Sequence, residues 1–388
     1  MLAVFGAPRK RIALALAALA FLTACQAVTM GGGPRINTDK PVPVALLVPS
    51  GSGSGTDEEV ARGLENAARM AIADLQGAKI DLRVYSTGAN PERAAAVARD
   101  AVSDGAKIIL GPLYAQSANA VGVAVAGRGV NVLSFSNNTQ IAGRNVFVLG
   151  PTFENTADRL AGYAASQGKS RFMVIHDPDI SGQVGRQAIE GAVAARGGQV
   201  VTTGTYELSQ NAVVQAIPGL AAKARENGVD SIFFTASPTG ALGYLVQLLP
   251  DNRVDPTQVQ FIGLTRWDIP PSTLSLPELQ GGWFALPDPG RSARFQSRYA
   301  ATYGNGPHST AGLAYDGIAA IGALISNGQA DALTVTALTQ RAGFEGVNGA
   351  FRLNPDGTND RALAVAEIRN SQVNVIDPAP RSFGGAGF

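Results

Sequence analysis

A glycine- and serine-rich loop at residues 51–59, GSGSGTDEE, is the first stretch whose composition could serve chemistry. It follows the apolar run at 44–48, and a glycine-rich loop between a strand and a helix can hold a phosphate group. A P-loop needs a Lys directly after its last glycine, and this loop has none. The dinucleotide-binding pattern fails at its final glycine, and a nucleophile elbow would need Ser where Gly53 stands. We therefore expect a flexible loop at the mouth of a cleft.

The histidines are too few to build a catalytic or metal site, because the chain has only His176 and His308. His176 ends an apolar run and is a candidate to line a cleft, whereas His308 precedes a helix and is expected to face solvent. Metal ligation requires spaced clusters of His or Cys, which this sequence lacks. The acids of HDPD (176–179) could hold a cation weakly, but capping of the next helix by Asp179 or Ser181 explains them better. We expect no enzymatic activity and no cofactor.

Cys25 is the only cysteine of the chain and ends a segment typical of export signals. A basic Arg-Lys-Arg triplet precedes the apolar run at 12–22, which is too short to span a bilayer. The Leu-Thr-Ala-Cys that closes the run resembles the bacterial lipobox, in which the Cys thiol is acylated. The sequence therefore predicts a signal peptide over 1–24, lipidation at Cys25 and a flexible tether over 25–43. Gln26, in place of an Asp, favours the outer membrane over the inner one.

The composition narrows the possible partners and suggests the architecture. The chain carries 31 Lys and Arg against 30 Asp and Glu, with no basic cluster after the signal, which argues against nucleic-acid binding. Glycine is abundant and aromatic residues make up only 6% of the chain, a composition that suits helices packed closely on a parallel sheet. The residues after 43 are enough for two domains of ordinary size.

Strand-like and helical patterns alternate in two series. Strands are predicted at 44–48, 80–85, 107–111 and 131–135, and, after a connection at 145–151, at 171–176, 199–206, 231–236 and 259–264. Strands separated by helices form right-handed β-α-β units, so the two series predict an α/β protein with two parallel sheets. Two further helices are predicted at 291–303 and 309–326. The turn NPDG then predicts a hairpin between GAFRL and ALAVAEIRN.

Residues 108–139, which begin IILGPLYAQSANAV, resemble the type I periplasmic binding-protein superfamily, particularly its leucine/isoleucine/valine-binding branch. STAGLAYDGIAAIGALI at 309–325 and FEGVNGAFRLNPDG at 344–357 resemble later segments of the same family. The resemblance implies two Rossmann-like lobes joined by three crossovers, with a ligand bound in the cleft between the lobes. The implied ranges are 44–149 plus 291–345 for lobe one, 150–284 plus 347–378 for lobe two, crossovers near 149–152, 284–290 and 346–351, and a disordered tail at 379–388.

Ligands in parallel α/β folds bind beyond the carboxyl ends of the strands, and this rule selects the candidate binding residues. Together with the free N–H groups of the helix starting near 115, the first-lobe candidates could receive a carboxylate. They are Ser50, Tyr114, Ser117, Ser134, Ser136, Asn137 and Asn138. The second-lobe candidates are His176, Trp267 and Asp268. The alternative is that these residues are ordinary caps and turns, and that Trp267 is core packing rather than an aromatic lid.

Two departures separate the chain from the amino-acid binders of this family. The resemblance implies an acid in GLTRWD (263–268) that pairs with a ligand ammonium, but Arg266 and Trp267 precede Asp268 here. Ser181-Gly182 stands where many members have Tyr-Gly.

Two functions share the implied fold. One is a penicillin-binding protein activator that contacts a peptidoglycan synthase. The other is a substrate-binding lipoprotein that delivers a branched-chain or other amino acid to an ABC permease. A lipid anchor followed by Gln26 suits a fixed outer-membrane regulator facing the periplasm, so the sequence favours the activator, with the transport receptor as the alternative.

Overall fold

The computed structural model of the protein describes residues 33–383. The predicted signal peptide, lipidated Cys25 and residues 25–32 of the predicted tether lie outside this range. The rest of that tether is packed rather than free, because Ile36 is buried in the first-lobe core and its N–H donates to the Ala330 carbonyl at 2.9 Å. Within the described range no helix is both long and apolar enough to cross a membrane.

Strands and helices alternate through most of the described chain. The strands are Val42–Val48 (β1), Ile80–Ser86 (β2), Ile108–Leu110 (β3), Asn131–Ser134 (β4), Val146–Val148 (β5), Arg171–His176 (β6), Gln199–Thr205 (β7), Ser231–Phe234 (β8), Gln260–Gly263 (β9), Trp283–Leu286 (β10), Phe344–Gly346 (β11), Gly349–Leu353 (β12), Asn359–Arg361 (β13), Ala364–Arg369 (β14) and Gln372–Asp377 (β15). The α-helices are Gly55–Asp74 (α1), Pro91–Ser103 (α2), Ala115–Val125 (α3), Phe153–Ser166 (α4), Ile180–Ala195 (α5), Gln210–Glu226 (α6), Leu242–Asp251 (α7), Pro289–Tyr303 (α8), Ala311–Ser326 (α9) and Val335–Leu338 (α10).

These strands form three sheets. The first has the order β2-β1-β3-β4-β5 and is parallel throughout. The second has the order β15-β14-β10-β9-β8-β6-β7 and is parallel except that β14 runs antiparallel to both β10 and β15. The third is a small antiparallel sheet of β11, β12 and β13. The predicted fold class is confirmed: the chain is an α/β protein with two Rossmann-like lobes.

Helices cover both faces of the first sheet, and the residues of β1 alternate between the two cores. Val44 and Leu46 pack on one side with residues of α1 and α9. Ala45 and Leu47 pack on the other side with residues of α2 and α3. A strand covered on both faces reads as a continuous apolar run, which is why VPVALLV shows no polar alternation.

The second sheet is built in the same way. In β6, Met173 and Ile175 pack with residues of α6 and α7, whereas Phe172 and Val174 pack with residues of α4 and α5. Because β6, β8 and β9 are adjacent and parallel, their carboxyl ends lie side by side at one edge of this sheet. That edge carries the second-lobe candidates.

The predicted hairpin between GAFRL and ALAVAEIRN is wrong in its second strand. β12 pairs instead with the three-residue strand β13, across a turn closed by the Gly357 N–H and the Asn354 carbonyl at 2.9 Å. β14, which lies within the predicted second strand at 362–370, pairs with β10 and β15 in the second sheet. Most residues of β14 are buried, which fits a strand in a sheet that is covered on both faces. A two-stranded hairpin would leave one face of this strand exposed.

The assignment of residues 347–378 to lobe two also needs correction. Phe351 and Leu353 pack in the first-lobe core, and Leu363 and Ala364 are the first residues of this stretch that pack in second-lobe cores. The tail predicted to be disordered from 379 is packed at Phe383, which is buried with Ala350 of β12 and with Ala362, directly after β13. The guanidinium of Arg352 lies 4.9 Å from the Phe383 ring centre. A cation over an aromatic face stabilises this packing.

A buried ion pair holds the crossover region together. The carboxylate of Asp316, in α9, accepts a 3.1 Å hydrogen bond from Nη1 of Arg361, in β13. The same guanidinium donates to the Leu149 carbonyl from Nε at 3.0 Å, and the other Asp316 oxygen accepts the Val347 N–H at 2.8 Å. Complete burial raises the pKa of the Asp316 carboxyl, while Arg361 and the Val347 N–H oppose that rise. One pair therefore connects the first-lobe helix α9 to two stretches that pass between the lobes.

Replacing Arg361 with Met tests this role. The change leaves the Asp316 carboxylate buried and unpaired, so we expect the free energy of unfolding to fall by about 3–5 kcal/mol in urea titrations. Arg69→Met is the matched control, because Arg69 pairs one turn away with Glu65 on an exposed helix face. An exposed pair of this kind contributes less than about 1 kcal/mol. Equal losses in the two variants would contradict the central role of the buried pair.

Candidate functional site

Two of the first-lobe candidates are hydroxyls that shape the loop after β4. Ser134 Oγ donates to the Pro112 carbonyl at 3.0 Å and accepts the Ser136 N–H at 3.1 Å. Ser136 Oγ in turn accepts the Asn138 N–H at 3.1 Å. Both side chains are buried and serve as turn residues in this conformation. The loop they fix presents Asn137 and Asn138 as exposed residues at the edge of the first sheet.

Asn137, Asn138 and Ser50 differ in whether their side chains make hydrogen bonds within the protein. The Asn138 side-chain oxygen accepts the Gln140 N–H at 2.9 Å, whereas the Asn137 side chain makes no hydrogen bond within residues 33–383. Ser50, at the end of β1, lies 2.6 Å from the hydroxyl of Ser86 at the end of β2. These three candidates therefore share the carboxyl edge of the first sheet, as predicted from their positions after the strands.

Tyr114 begins helix α3 and is partly exposed, but its hydroxyl is already engaged. It donates a hydrogen bond to Asp57, a buried residue in the first turn of α1. This hydrogen bond, together with burial, raises the pKa of the Tyr114 hydroxyl. Asp57 does not cap α1, because the Ser54 side chain accepts the Asp57 N–H and caps this helix. The Gly51 N–H of the preceding loop donates to Glu58 at 2.6 Å, so the glycine-rich loop is closed by an acid of its own helix.

Ser117 is the one first-lobe candidate whose hydroxyl has no partner. It lies in the first turn of α3, where Tyr114 supplies no side-chain cap, and it is only 1% exposed. Its Oγ makes no hydrogen bond within the described structure. A buried hydroxyl without a partner is costly. On this edge the Ser117 hydroxyl and the first N–H groups of α3 are the polar groups that lack side-chain hydrogen-bond partners.

The second-lobe edge contains a carboxylate, Asp177, that the list of candidates omitted. Asp177 directly follows β6, and its Oδ1 accepts a hydrogen bond from the hydroxyl of Tyr206, just beyond β7. Its N–H donates to Thr235 Oγ1 at 2.9 Å, just beyond β8. Burial and the hydrogen bond to Asp177 raise the pKa of the Tyr206 hydroxyl well above its ordinary value, so the phenol stays a donor. Residues at three neighbouring strand ends thus fix Asp177, with Tyr206 at its carboxylate and Thr235 at its N–H.

His176 and the other acids of HDPD have local roles. His176 ends β6 half-buried, with Nδ1 2.8 Å from the Asp177 carbonyl. The predicted cap of the next helix is confirmed at Asp179, whose side chain accepts the Gly182 N–H at 2.7 Å at the start of α5. The position of Asp177 directly after a strand could have identified it as a candidate. Its hydrogen bond to Tyr206 could not be predicted, because the two residues are 29 positions apart in the sequence.

Asp268 lies beyond β9 and is paired within its own loop. Arg266 Nε donates to Asp268 Oδ1 at 2.8 Å, and the Arg266 Nη2 atom contacts the other oxygen. This is the two-pronged geometry in which a guanidinium best matches a carboxylate. The Asp268 side chain is only 14% exposed.

Trp267 cannot serve as the lid that the sequence suggested. Its indole is fully buried in the core of the second lobe, with ring centres 6.4 Å from those of Phe234 and Phe284. Gly263 and Gly282 lie against it, and a Cβ at either position would overlap the ring. The packing alternative is therefore correct, and Trp267 leaves the set of candidate ligand residues.

A groove of about 680 Å³ brings residues of both lobes together. The loop 137–140 of the first lobe forms one wall. The start of α4 and one face of α5, from Ile180 to Ala195, form the other. Its volume lies in the range of small-molecule sites. A second cavity of about 780 Å³ lies between α4 and the third sheet, away from the strand ends, and its arginines are paired with aspartates.

The chain belongs to the periplasmic binding protein family, whose model matches residues 41–372. A relative from Rickettsia prowazekii, an uncharacterised protein, is 24% identical over 236 residues, which cover 60% of this chain and 61% of the relative. The match thus spans less than two thirds of that relative.

Solved structures share the fold over most of the chain. A branched-chain amino acid ABC transporter periplasmic ligand-binding protein from Burkholderia xenovorans has a TM-score of 0.67 at 17% identity, covering 89% of this chain and 97% of that one. An ABC transporter substrate-binding protein from Desulfitobacterium hafniense, in complex with leucine, has a TM-score of 0.61 at 21% identity, covering 87% and 100%. A solute-binding protein of an ABC transporter from Rhodopseudomonas palustris, in complex with 3,4-dihydroxybenzoic acid, has a TM-score of 0.58 at 18% identity, covering 88% and 98%.

Substitution of the unpartnered hydroxyl tests the first-lobe edge. In the protein without ligand, Ser117→Ala should stabilise the fold by about 1 kcal/mol, because it removes an unsatisfied buried group and favours the helix. Ser134→Ala is the matched control and should destabilise by about 1–3 kcal/mol, because the Pro112 carbonyl and the Ser136 N–H both lose a partner. Chemical unfolding measures both changes. A loss of stability in Ser117→Ala would show that its hydroxyl has a structural partner.

Proposed function

We propose that this protein is the substrate-binding protein of an ABC transporter and that it binds a small polar ligand, such as an amino acid, between its lobes. The observation that carries this proposal is the groove in which the loop 137–140 of the first lobe faces Ser181 and the start of α5 in the second. The loop 137–140 and the start of α5 follow the carboxyl ends of parallel strands, where ligands of α/β proteins bind, and the groove continues along α5 as far as Ala195.

The comparisons support transport better than the activator role favoured from the sequence. The three structures named above are ABC transporter binding proteins, and two of them are named for, or hold, an amino acid. The penicillin-binding protein activator has no support among these relatives, and no feature of residues 33–383 specifically favours contact with a peptidoglycan synthase. An ABC permease is therefore the proposed partner, and a non-enzymatic role follows from the proposed function.

The two edges would divide the work of binding. The first-lobe edge offers neutral groups, namely the exposed asparagines and the uncapped N–H groups of α3, which suit a carboxylate. The second-lobe edge carries the fixed carboxylate of Asp177. A ligand that contacts both edges favours the closed arrangement of the lobes and stabilises the fold.

Ligand screening by thermal unfolding tests the proposal directly. The panel contains the twenty common amino acids, each with the carboxylic acid of the same carbon skeleton that lacks the amine. At a concentration 100 times its dissociation constant, a ligand adds about 2.7 kcal/mol to the free energy of unfolding, which gives a clear rise in melting temperature. Asn137→Ala should weaken the binding of that ligand, whereas Val123→Ala, an exposed residue on α3, should leave it unchanged. If neither the amino acids nor the carboxylic acids without an amine raise the melting temperature, the proposed function is contradicted.

The proposal includes lipidation of Cys25. This residue lies outside the described residues, so the anchor stays a prediction from the sequence. Cys25→Ser removes the thiol that would be acylated, so we expect palmitate labelling in a bacterial host to disappear and the precursor to accumulate. Ser50→Ala, far along the chain from the signal, should be labelled like the natural protein. Labelling that persists in Cys25→Ser would show that the lipobox interpretation is wrong.

A further inference from the structure

The segments that lead into the five strands of the first sheet carry an excess of basic residues. Because these strands are parallel and start nearly in register, the segments meet at one edge of the sheet, its amino-terminal edge. The segments are 33–41, 76–79, 104–107, 126–130 and 142–145. Their basic residues are Arg35, Lys40, Lys79, Lys107, Arg128 and Arg144. Their acids are Asp39 and Asp104, and the neighbouring stretch 328–334 adds Asp331.

A repeated local pattern places two of the lysines at this edge. The sequence GAKI occurs at 77–80, before β2, and again at 105–108, before β3. Both glycines have a positive φ, the conformation in which glycine commonly ends a helix. The Lys79 carbonyl accepts an N–H of β1 at 2.8 Å, and the Lys107 N–H donates to a carbonyl of β1 at 2.9 Å. The sheet therefore fixes the backbone of both lysines, and the isoleucine that follows each of them begins a strand.

The charges of these basic residues are not neutralised within the protein. Within residues 33–383 none of the six takes part in an ion pair. Lys107 is partly exposed and the other five are exposed. The amino-terminal edge of the second sheet carries no such excess, because its acids balance its free basic residues. The basic residues there are Lys169, Arg253 and Arg196, which is paired with Asp158, and the acids are Asp230 and Asp255.

The chain that follows the predicted lipid anchor reaches the first lobe at this same edge. Gly33 lies against the backbone of Leu333, whose carbonyl accepts a 2.8 Å hydrogen bond from the side chain of Asn131, the first residue of β4. The chain then runs along the edge to Val42, where β1 begins. Cys25 precedes Gly33 by eight residues, and an extended chain spans at most about 3.6 Å per residue. An acylated Cys25 would thus keep this edge within about 29 Å of the membrane.

A flat anionic surface fits this arrangement of charges. Neighbouring strands lie about 4.8 Å apart, so the starts of the five strands span about 19 Å, which is wider than a small anion can contact at once. The negative potential of a membrane with anionic lipids attracts Lys and Arg, and it falls off within a Debye length of about 8 Å at physiological salt. A row of basic residues along one edge can therefore act together only on an extended surface.

We propose that the amino-terminal edge of the first sheet lies on the membrane that holds the lipid anchor. Its six basic residues contact the phosphates of anionic lipid headgroups. This contact turns the opposite edge of the sheet, which carries the loop 137–140, away from the membrane. The inference rests on the predicted anchor at Cys25 and does not depend on the ligand of the proposed function.

Chemical labelling of the lysines tests this proposal. Five lysines follow the predicted signal peptide: three lie on this edge, and the other two, Lys169 and Lys223, lie in the second lobe. The acylated protein, purified from membranes, is added to vesicles of phosphatidylcholine or of an equal mixture of phosphatidylcholine and phosphatidylglycerol. A reagent that acetylates amines is then applied, and mass spectrometry gives the rate at each lysine.

We expect the anionic vesicles to slow acetylation of Lys40, Lys79 and Lys107 about threefold or more relative to the neutral vesicles. Lys169 and Lys223 should react at the same rate on both kinds of vesicle. High salt should remove the protection, because it screens the attraction between exposed charges and the membrane.

A charge variant and its matched control keep all five lysines as reporters. Arg128→Gln combined with Arg144→Gln removes two charges from the edge, so the protection on anionic vesicles should fall by about half or more. The control combines Arg62→Gln with Arg294→Gln, two exposed residues of α1 and α8 that make no ion pair in the described part of the chain. It changes the net charge equally and should keep the protection of the natural protein. Melting temperatures establish that both variants are folded.

Several results would overturn the proposal. Acetylation rates that are equal on neutral and anionic vesicles would remove the role of charge. Protection by inorganic phosphate on neutral vesicles would indicate a site for a small anion instead of a membrane surface. Protection in isolated cell envelopes but not on anionic vesicles would assign the edge to another acidic partner. If the N-terminal peptide carries no acyl chain, the predicted anchor and this inference fail together, while ligand binding between the lobes is unaffected.

Discussion

The buried pair of Asp316 and Arg361 is the contact on which the arrangement of the two sheets depends. An ion pair removed from water is costly unless its remaining hydrogen-bonding groups are satisfied. Here the Leu149 carbonyl and the Val347 N–H satisfy them, and the Phe351 ring lies 5.1 Å from the Arg361 guanidinium. Because these partners come from the first passage between the lobes, from the third sheet and from a first-lobe helix, the pair favours one geometry of the crossover region. The loop 137–140 of the first lobe and helix α5 of the second then line a common groove.

The two edges differ in their chemistry. The first-lobe edge uses its hydroxyls to build its own loops, as Ser134 and Ser136 show, and presents neutral asparagines. The second-lobe edge presents a carboxylate that accepts hydrogen bonds from the hydroxyls of Tyr206, beyond β7, and Thr235, beyond β8. Neutral donors suit the acid of a small ligand, and a fixed carboxylate suits its amine. A ligand with both groups gains its full binding energy only when it contacts both lobes, which links binding to closure.

The sequence allowed prediction of the fold class and of the edge on which the site lies, because both follow from local patterns. Apolar runs alternate with helical periods, and parallel strands place their ends together. The errors concern contacts between residues far apart in the chain. The sequence does not show that Gly263 and Gly282 leave room for the Trp267 indole, or that Leu353 packs in the first lobe while Ala364 packs in the second. Short apolar strands fit either sheet, and only the assembled cores decide between them.

The same distinction explains why the sequence points to Asp268, and not to Asp177, as the acid of the second lobe. Arg266 and Asp268 are neighbours in the sequence, and their pairing is a local event that neutralises the carboxylate before any ligand arrives. Asp177 gains its orientation from Tyr206 and Thr235, which reach it only after β6, β7 and β8 have assembled side by side. The Asp177 carboxylate is oriented by the completed sheet and is not paired within its own loop. It therefore takes up this orientation only in the folded lobe. The orientation of Asp177 is therefore a property of the sheet as a whole.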